Sequence, residues 1–222
     1  MGRLIVVGTP IGNRGDLSPR ALESFRTAVM ILCEDTRVTR KLLTDIETTA
    51  PVRSIHHHST PADLDRALDA VATGDVVYVS DAGTPGISDP GGKLVARAHV
   101  RKIPVVVIPG PSALTAALSI SGFPTDKFRF LGFLPHKKGR ETLYREIAES
   151  EDTIAFFESP HRLMKTLEAL LRLGLSKPLA VCRELTKIHE SVVRGTITDV
   201  HQHFNDHPDE VRGEIVIVIS PA

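Results

Sequence analysis

Residues 76–92, VVYVSDAGTPGISDPGG, constrain the fold of this chain more than any other stretch. Val76, Val77, Tyr78 and Val79 have the composition of a strand buried on both faces of a parallel sheet. The run then breaks, and Gly83, Pro85 and Gly86 leave a loop almost bare of side chains. In open α/β sheets ligands bind at the C-terminal ends of the strands, where such loops bring backbone groups up to them. Asp89 and Pro90 read as the N-cap and first-turn residues of a following helix. Taken alone, an ordinary tight βα connection explains the segment equally well.

The same unit recurs along the chain. Strands are predicted at 4–7, 29–33, 52–55 and 105–108, with helices opened by Ser18-Pro19, by the polar run Glu34-Asp35-Thr36-Arg37 and by Thr60-Pro61, the last running to Gly74. Another helix follows Pro109-Gly110-Pro111-Ser112-Ala113. Strict alternation of this kind implies a parallel sheet with helices on both faces. Residues 122–125 read as a linker, after which strands at 128–133, 153–157, 179–184, 191–194 and 215–219 come at closer spacing, among helices over 139–149, 161–173 and 199–204. The expected architecture is α/β: a domain over 1–121 with a parallel sheet, a domain over 126–222 with a mixed sheet, and a ligand cleft between the two.

Composition narrows the function. Lys plus Arg and Asp plus Glu are equal, 27 each in 222 residues, so the chain is not a polycation that holds naked nucleic acid by bulk charge. Any RNA contact must come from a local patch or a structured partner. There is no tryptophan, and base stacking would fall to eight Phe, two Tyr and ten His. No apolar run approaches the ~20 residues that span a bilayer, and the start MGRLIVVGTP lacks a signal-peptide pattern, so a cytoplasmic protein is expected. Cys33 and Cys182 lie in apolar runs and read as buried reduced thiols. In the run His56-His57-His58 only the outer two share a face of extended chain, and no carboxylate or cysteine spacing completes a site. No metal is expected.

Three bare loops, at Gly8, Gly83 and Gly110, stand at strand ends. No glycine precedes Lys-Ser or Lys-Thr, which excludes a Walker loop. Gly8, Gly12 and Gly15 approach a dinucleotide fingerprint, with Glu34 or Asp35 about where a ribose-binding carboxylate would fall. Pro10, however, stands where the second glycine would admit a pyrophosphate. The loops suit an adenosine-like ligand without one.

The phrases VGTPIGN, CEDTR, VSDAGTPGISDPG, PGPSALTAAL, LGFLP, FFESPHR, RELTK and GEIVIVI, in this order from Leu4 to Ile219, resemble the tetrapyrrole methylase superfamily, in its RNA-modifying branch. The resemblance implies two α/β domains with the methyl donor in the cleft, a homodimer, and S-adenosyl-L-methionine-dependent methylation of a cytidine ribose 2′-hydroxyl in small-subunit ribosomal RNA. It places the donor against Ile11, Ala82, Gly83, Thr84, Ile87, Ser112 and Ala113, with Phe157, Glu158 and Leu185 completing the pocket from the second domain. Porphyrin-modifying relatives carry Gly-Asp-Pro in the central loop; Thr84 replaces that aspartate here and favours an RNA substrate. The histidine segment departs from the branch's His-Glu-His-Asn at His57 and Ser59, and the chain stops at Pro221-Ala222, where family members often add a small helical segment.

Methyl transfer from a sulfonium is an in-line displacement, so alignment in a dry site is the main task, and a base beside the hydroxyl helps. Glu34, Asp35, His56, His58 and Glu158 are available, and the pair Glu34-Asp35 is preferred, with His56 beside it; equally, Glu34 and Asp35 can cap the helix at Thr36. Lys137, Lys138 and Arg140, with Arg37 and Arg162, form the best basic patch, and Asn13 and His58 complete the RNA contacts to be tested. A solvated helix start explains the lysines as well. Two other functions stay open: C-methylation of a small tetrapyrrole such as uroporphyrinogen or a precorrin, and a non-catalytic ribosome-binding factor that keeps the donor pocket. A nicotinamide enzyme is the remotest reading.

Overall fold

The computed structural model describes residues 2–221. The first of its two compact units ends at Ser112 and the second begins at Ala113. Each has its own sheet and core.

The first unit is built from β1 (Leu4–Val7), α1 (Pro19–Thr27), β2 (Met30–Cys33), α2 (Thr36–Leu42), β3 (Val52–Ser54), α3 (Pro61–Leu68), β4 (Val76–Val79), α4 (Gly91–Val100) and β5 (Val105–Ile108). Its sheet has the order β3-β2-β4-β1-β5, and every pairing is parallel. All residues of β1, β2 and β4 are buried, as their unbroken apolar runs require. Alternate residues feed two cores: Leu4, Leu32 and Tyr78 pack with Leu64, Leu68 and Leu94 on one face, while Val7, Ile31 and Val79 pack with Ala21 and Phe25 on the other. The helix starts follow the expected chemistry. Ser18 caps α1, and Thr60 and Asp63 form a capping box at α3. The helix from Thr60 stops at Leu68 and tightens into a 3-10 turn, Asp69–Ala72, instead of continuing to Gly74.

The second unit contains α5 (Ala113–Ser121), β6 (Phe128–Phe133), α6 (Arg140–Glu149), β7 (Thr153–Glu158), α7 (Pro160–Arg172), β8 (Leu179–Arg183), β9 (Ser191–Gly195), α8 (Ile197–Asp206) and β10 (Ile215–Ile219). The sheet order is β6-β7-β10-β8-β9; β6 and β7 run parallel and the other pairs antiparallel. One face packs against α6, α7 and α8 through Tyr144, Leu163, Leu167, Val200 and Phe204. On the other side α5 lies against β10 and β8, with Leu114, Ala117 and Leu118 buried and the Cys182 thiol facing the Ala117 carbonyl at 4.0 Å. This moves the boundary from 122–125, where the linker was expected. The small apolar side chains of α5 are buried against the second sheet, so the chain changes unit before the helix.

Candidate functional site

The C-terminal tips of β1, β4 and β5 are tied into one surface by main-chain contacts. Thr9 and Gly83 exchange both backbone hydrogen bonds, at 2.9 and 3.1 Å. Gly8 and Gly110 touch backbone to backbone: a Cβ on Gly8 would lie 2.7 Å from the Gly110 nitrogen, and one on Gly110 would lie 2.6 Å from the Gly8 oxygen. Gly83 has φ +77, a region closed to most side-chain-bearing residues. The Thr84 hydroxyl donates to the Pro111 carbonyl at 3.1 Å, joining the second and third loops. Ile11 is buried beneath Gly83, while Ala82 and Ile87 are exposed and Thr84, Ser112 and Ala113 half-buried. Asp89 shapes the loop's far end. Its carboxylate accepts the Gly86 and Gly91 N–H groups, both at 2.7 Å, so α4 begins at Gly91 rather than at Pro90.

Beside this surface the ends of β2 and β4 gather three carboxylates. Burial raises the pKa of Glu34 above the ordinary glutamate value, and the negative charges of Asp81 and Asp89 raise it further; His56 and His57 pull it partly back. Asp35 differs sharply from its neighbour. It caps α2 by accepting the Arg37 N–H at 2.8 Å and holds the Arg37 guanidinium at 2.6 Å, which lowers its pKa to about 2. A carboxylate so committed is a weak base. The expected Glu34-Asp35 pair therefore divides: Asp35 is the helix cap, and Glu34 has its pKa raised. The Asp35 N–H donates to Asp81 at 2.9 Å, fixing the two strand ends to each other. The exposed residues His56, His57 and His58 follow β3; the His56 N–H donates to Ser59 and the His57 carbonyl accepts from Lys93. Asn13, also exposed, accepts from the Gly15 N–H through its side chain. Among the described residues no group of three or more His, Cys, Asp or Glu is placed to hold a metal ion.

In the second unit Glu158, at the end of β7, is fully enclosed, with its side chain 0% exposed. One carboxylate oxygen accepts from the Ser159 N–H at 2.8 Å and forms an ion pair with Arg162 Nε at 2.7 Å; the other accepts from Thr166 Oγ1 at 2.6 Å and Arg140 Nη2 at 3.1 Å. Both carboxylate oxygens are engaged from within the unit. The sequence suggests a donor contact or a base at Glu158; the structure encloses its carboxylate among partners of its own unit. Arg140 and Arg162 are not free surface cations either, since each is pinned to this buried carboxylate, whereas Lys137 and Lys138 are exposed. Phe157 is half-buried and packs edge-on against Phe130, with ring centroids 5.0 Å apart. Leu185 is buried between Glu184 and Thr186, both in left-handed conformations.

Residues 3–201 match the family model described as Tetrapyrrole (Corrin/Porphyrin) Methylases. The chain belongs to the tetrapyrrole methylase family. Among this methylase's relatives are proteins named ribosomal RNA small subunit methyltransferase I. The one from Synechocystis sp. is 45% identical over all of this chain and 80% of its own length. That from Thermotoga maritima is 42% identical over 99% of each chain, and that from Xylella fastidiosa 42% identical over all of this chain and 82% of its own. The fold is also that of solved structures. A cobalt precorrin-4 methyltransferase matches with TM-score 0.70 at 18% identity over 98% of this chain and 94% of its own. A uroporphyrin-III C-methyltransferase from Thermus thermophilus, complexed with S-adenosyl homocysteine, matches with TM-score 0.66 at 21% identity over 99% and 97%.

Three features of these regions have no signal that sequence reasoning used. The Thr9–Gly83 exchange joins segments far apart in the chain, and no local pattern announces it. Asp81 and Asp89 were read as loop and cap residues, although both raise the pKa of Glu34. Arg162 lies one helical turn after Glu158, a spacing that could have been noticed, but the pairing of Glu158 with Arg140 has no local signal.

Proposed function

We propose that this methylase transfers a methyl group from S-adenosyl-L-methionine to the ribose 2′-hydroxyl of a cytidine in small-subunit (16S) ribosomal RNA. The observation that carries the reading is the gap in similarity. Relatives named ribosomal RNA small subunit methyltransferase I are 39–45% identical over 98–100% of this chain, whereas solved corrin and porphyrin methyltransferases are only 18–21% identical. Thr84, in place of the aspartate of porphyrin-modifying relatives, points the same way.

The residues of the first unit, with Ala113 just beyond it in the chain, fit the donor. The Gly8–Gly110 contact, where a Cβ would strike the facing backbone, and the left-handed Gly83 let these loops close together with few side chains, which suits a flat nucleoside held by backbone groups. In this reading Ile11, Ala82, Gly83, Thr84, Ile87, Ser112 and Ala113 hold the donor, and the bound sulfonium supplies an electrophilic methyl carbon. The Glu34 carboxylate would take the proton of the ribose hydroxyl as its oxygen receives the methyl group. The raised pKa of Glu34 suits this role, because a base nearer neutrality accepts a proton more readily than an ordinary carboxylate. His56 flanks Glu34, and Asn13, Arg37, His58, Lys137 and Lys138 are exposed for RNA. The reading includes a homodimer working in the cytoplasm, for which light scattering of the purified protein is the first check.

The experiment is incubation with methyl-labelled donor and assembled small subunits that lack the modification. Label in a ribose of the RNA is the expected outcome. Label in uroporphyrinogen instead, or donor bound without turnover to either, would overturn the reading. Glu34→Gln should lower the single-turnover rate by about 100-fold, with donor affinity unchanged.

A further inference from the structure

Two arginines converge on one buried carboxylate in the second unit. Arg140 is the first residue of α6 and Arg162 lies in the first turn of α7, so each stands at the positive end of a helix. Arg140 donates through Nη2 to Glu158 and Thr166 and through Nε to the Tyr144 hydroxyl. Arg162 forms an ion pair with Glu158 at Nε, donates from Nε to the Ser159 hydroxyl, and donates through Nη1 to the Leu134 carbonyl at 2.9 Å. Each guanidinium is thus anchored at two of its three nitrogens. The third, Nη1 of Arg140 and Nη2 of Arg162, makes no hydrogen bond within the described residues and is not among the polar atoms sealed from solvent. Both side chains are 13% exposed, enough for a ligand to reach an edge and not enough for the side chain to swing free.

One negative charge against two positive ones leaves the cluster cationic, and the exposed Lys137 and Lys138 precede it in the chain. We propose that Glu158 is the positioning residue of a phosphate subsite: it holds Arg140 and Arg162 in place so that their outward nitrogens bind backbone phosphates of the substrate RNA. The inference rests on the RNA reading above. A guanidinium nitrogen held rigid binds a phosphate oxygen at lower entropic cost than a mobile lysine, and the buried carboxylate supplies that rigidity while offsetting the repulsion between the two cations. Glu158 acts through the arginines, and the RNA does not touch it.

The test is Glu158→Gln in the full-length protein, read by binding to assembled small subunits across a salt series, with donor titration and thermal melting in parallel. A purely electrostatic account predicts tighter RNA binding, since a negative charge has been removed. The positioning account predicts binding at least about 10-fold weaker, a log–log salt slope shallower by about one to two, and donor affinity unchanged within about twofold. Arg162→Lys, which keeps the charge but loses the fork, should also weaken RNA binding, and it decides the matter if Glu158→Gln fails to fold. Unchanged or tighter binding by the folded variants would overturn the proposal, as would loss of donor affinity in Glu158→Gln. If the wild type methylates RNA but both variants bind it normally, only this inference fails; no RNA binding by the wild type removes the RNA reading and the subsite together.

Discussion

The tips of the first sheet and the end of β7 solve different problems with different materials. At the tips of β1, β4 and β5 the surface is main chain, held by the Thr9–Gly83 exchange and the Gly8–Gly110 contact. At the end of β7 it is side chain, a carboxylate surrounded by two guanidiniums and a hydroxyl. A backbone surface lets a neutral aromatic body approach closely and costs little desolvation. A buried ionic cluster is costly to desolvate and stands only while every partner is present. The first region suits recognition of a nucleoside, and the second suits the rigid presentation of charge.

The comparison breaks or sharpens under substitution, beginning with the largest effect. Glu158→Ala leaves two arginines buried without their counter-charge and should destabilise the second unit by about 3–5 kcal/mol in denaturant unfolding. If it costs less than about 1 kcal/mol, the cluster is not the structural unit described here. Gly110→Val drives a Cβ into the Gly8 carbonyl, and donor affinity measured by calorimetry should fall at least about 100-fold. The two defects should not cross: the glycine variant should leave the second unit's unfolding unchanged.

Smaller effects test the carboxylates. Glu34 is held above its ordinary pKa partly by Asp81, so Asp81→Asn, which can still accept the Asp35 N–H, lowers that pKa. Since the ionised form is the base, the acidic limb of the single-turnover profile should move to lower pH in this variant. A limb that stays in place would separate Glu34 from the chemistry. Asp35 has the opposite sign. Its pKa falls from the ordinary 3.8 to about 2, so its ionised form adds stability that is present above 3.8 and lost as pH falls toward 2. Asp35→Asn should melt slightly below wild type at neutral pH, and the two should converge across that window.

How much of this was legible in the sequence depends on whether the interaction is local. The runs Leu4–Val7, Val105–Ile108 and Ile215–Ile219 are strands at the expected bounds because each is an apolar segment stopped by turn residues. Ser18-Pro19 and Thr60-Pro61 open helices as read, since a cap is made within four residues. The glycine loops were visible too, because glycine reports a backbone demand at its own position. What failed was long-range. That α5 packs on the second sheet depends on which surface its small apolar face buries against, and no linker motif records it. Arg140 was read as a surface cation because the carboxylate that holds it comes from another strand. The Glu34-Asp35 pair divides because Arg37 engages only one of the two, a matter of side-chain direction rather than composition.

The most direct test is calorimetric titration of S-adenosyl-L-methionine into wild type and into Gly83→Val, each first shown to be folded. Valine carries a β-branched side chain into a position at φ +77, beside Ile11 and the Pro111 carbonyl, where the account places the donor against bare backbone. Saturable one-site binding by wild type, and none measurable by the variant, is the predicted result. Equal affinity in the two proteins would contradict it.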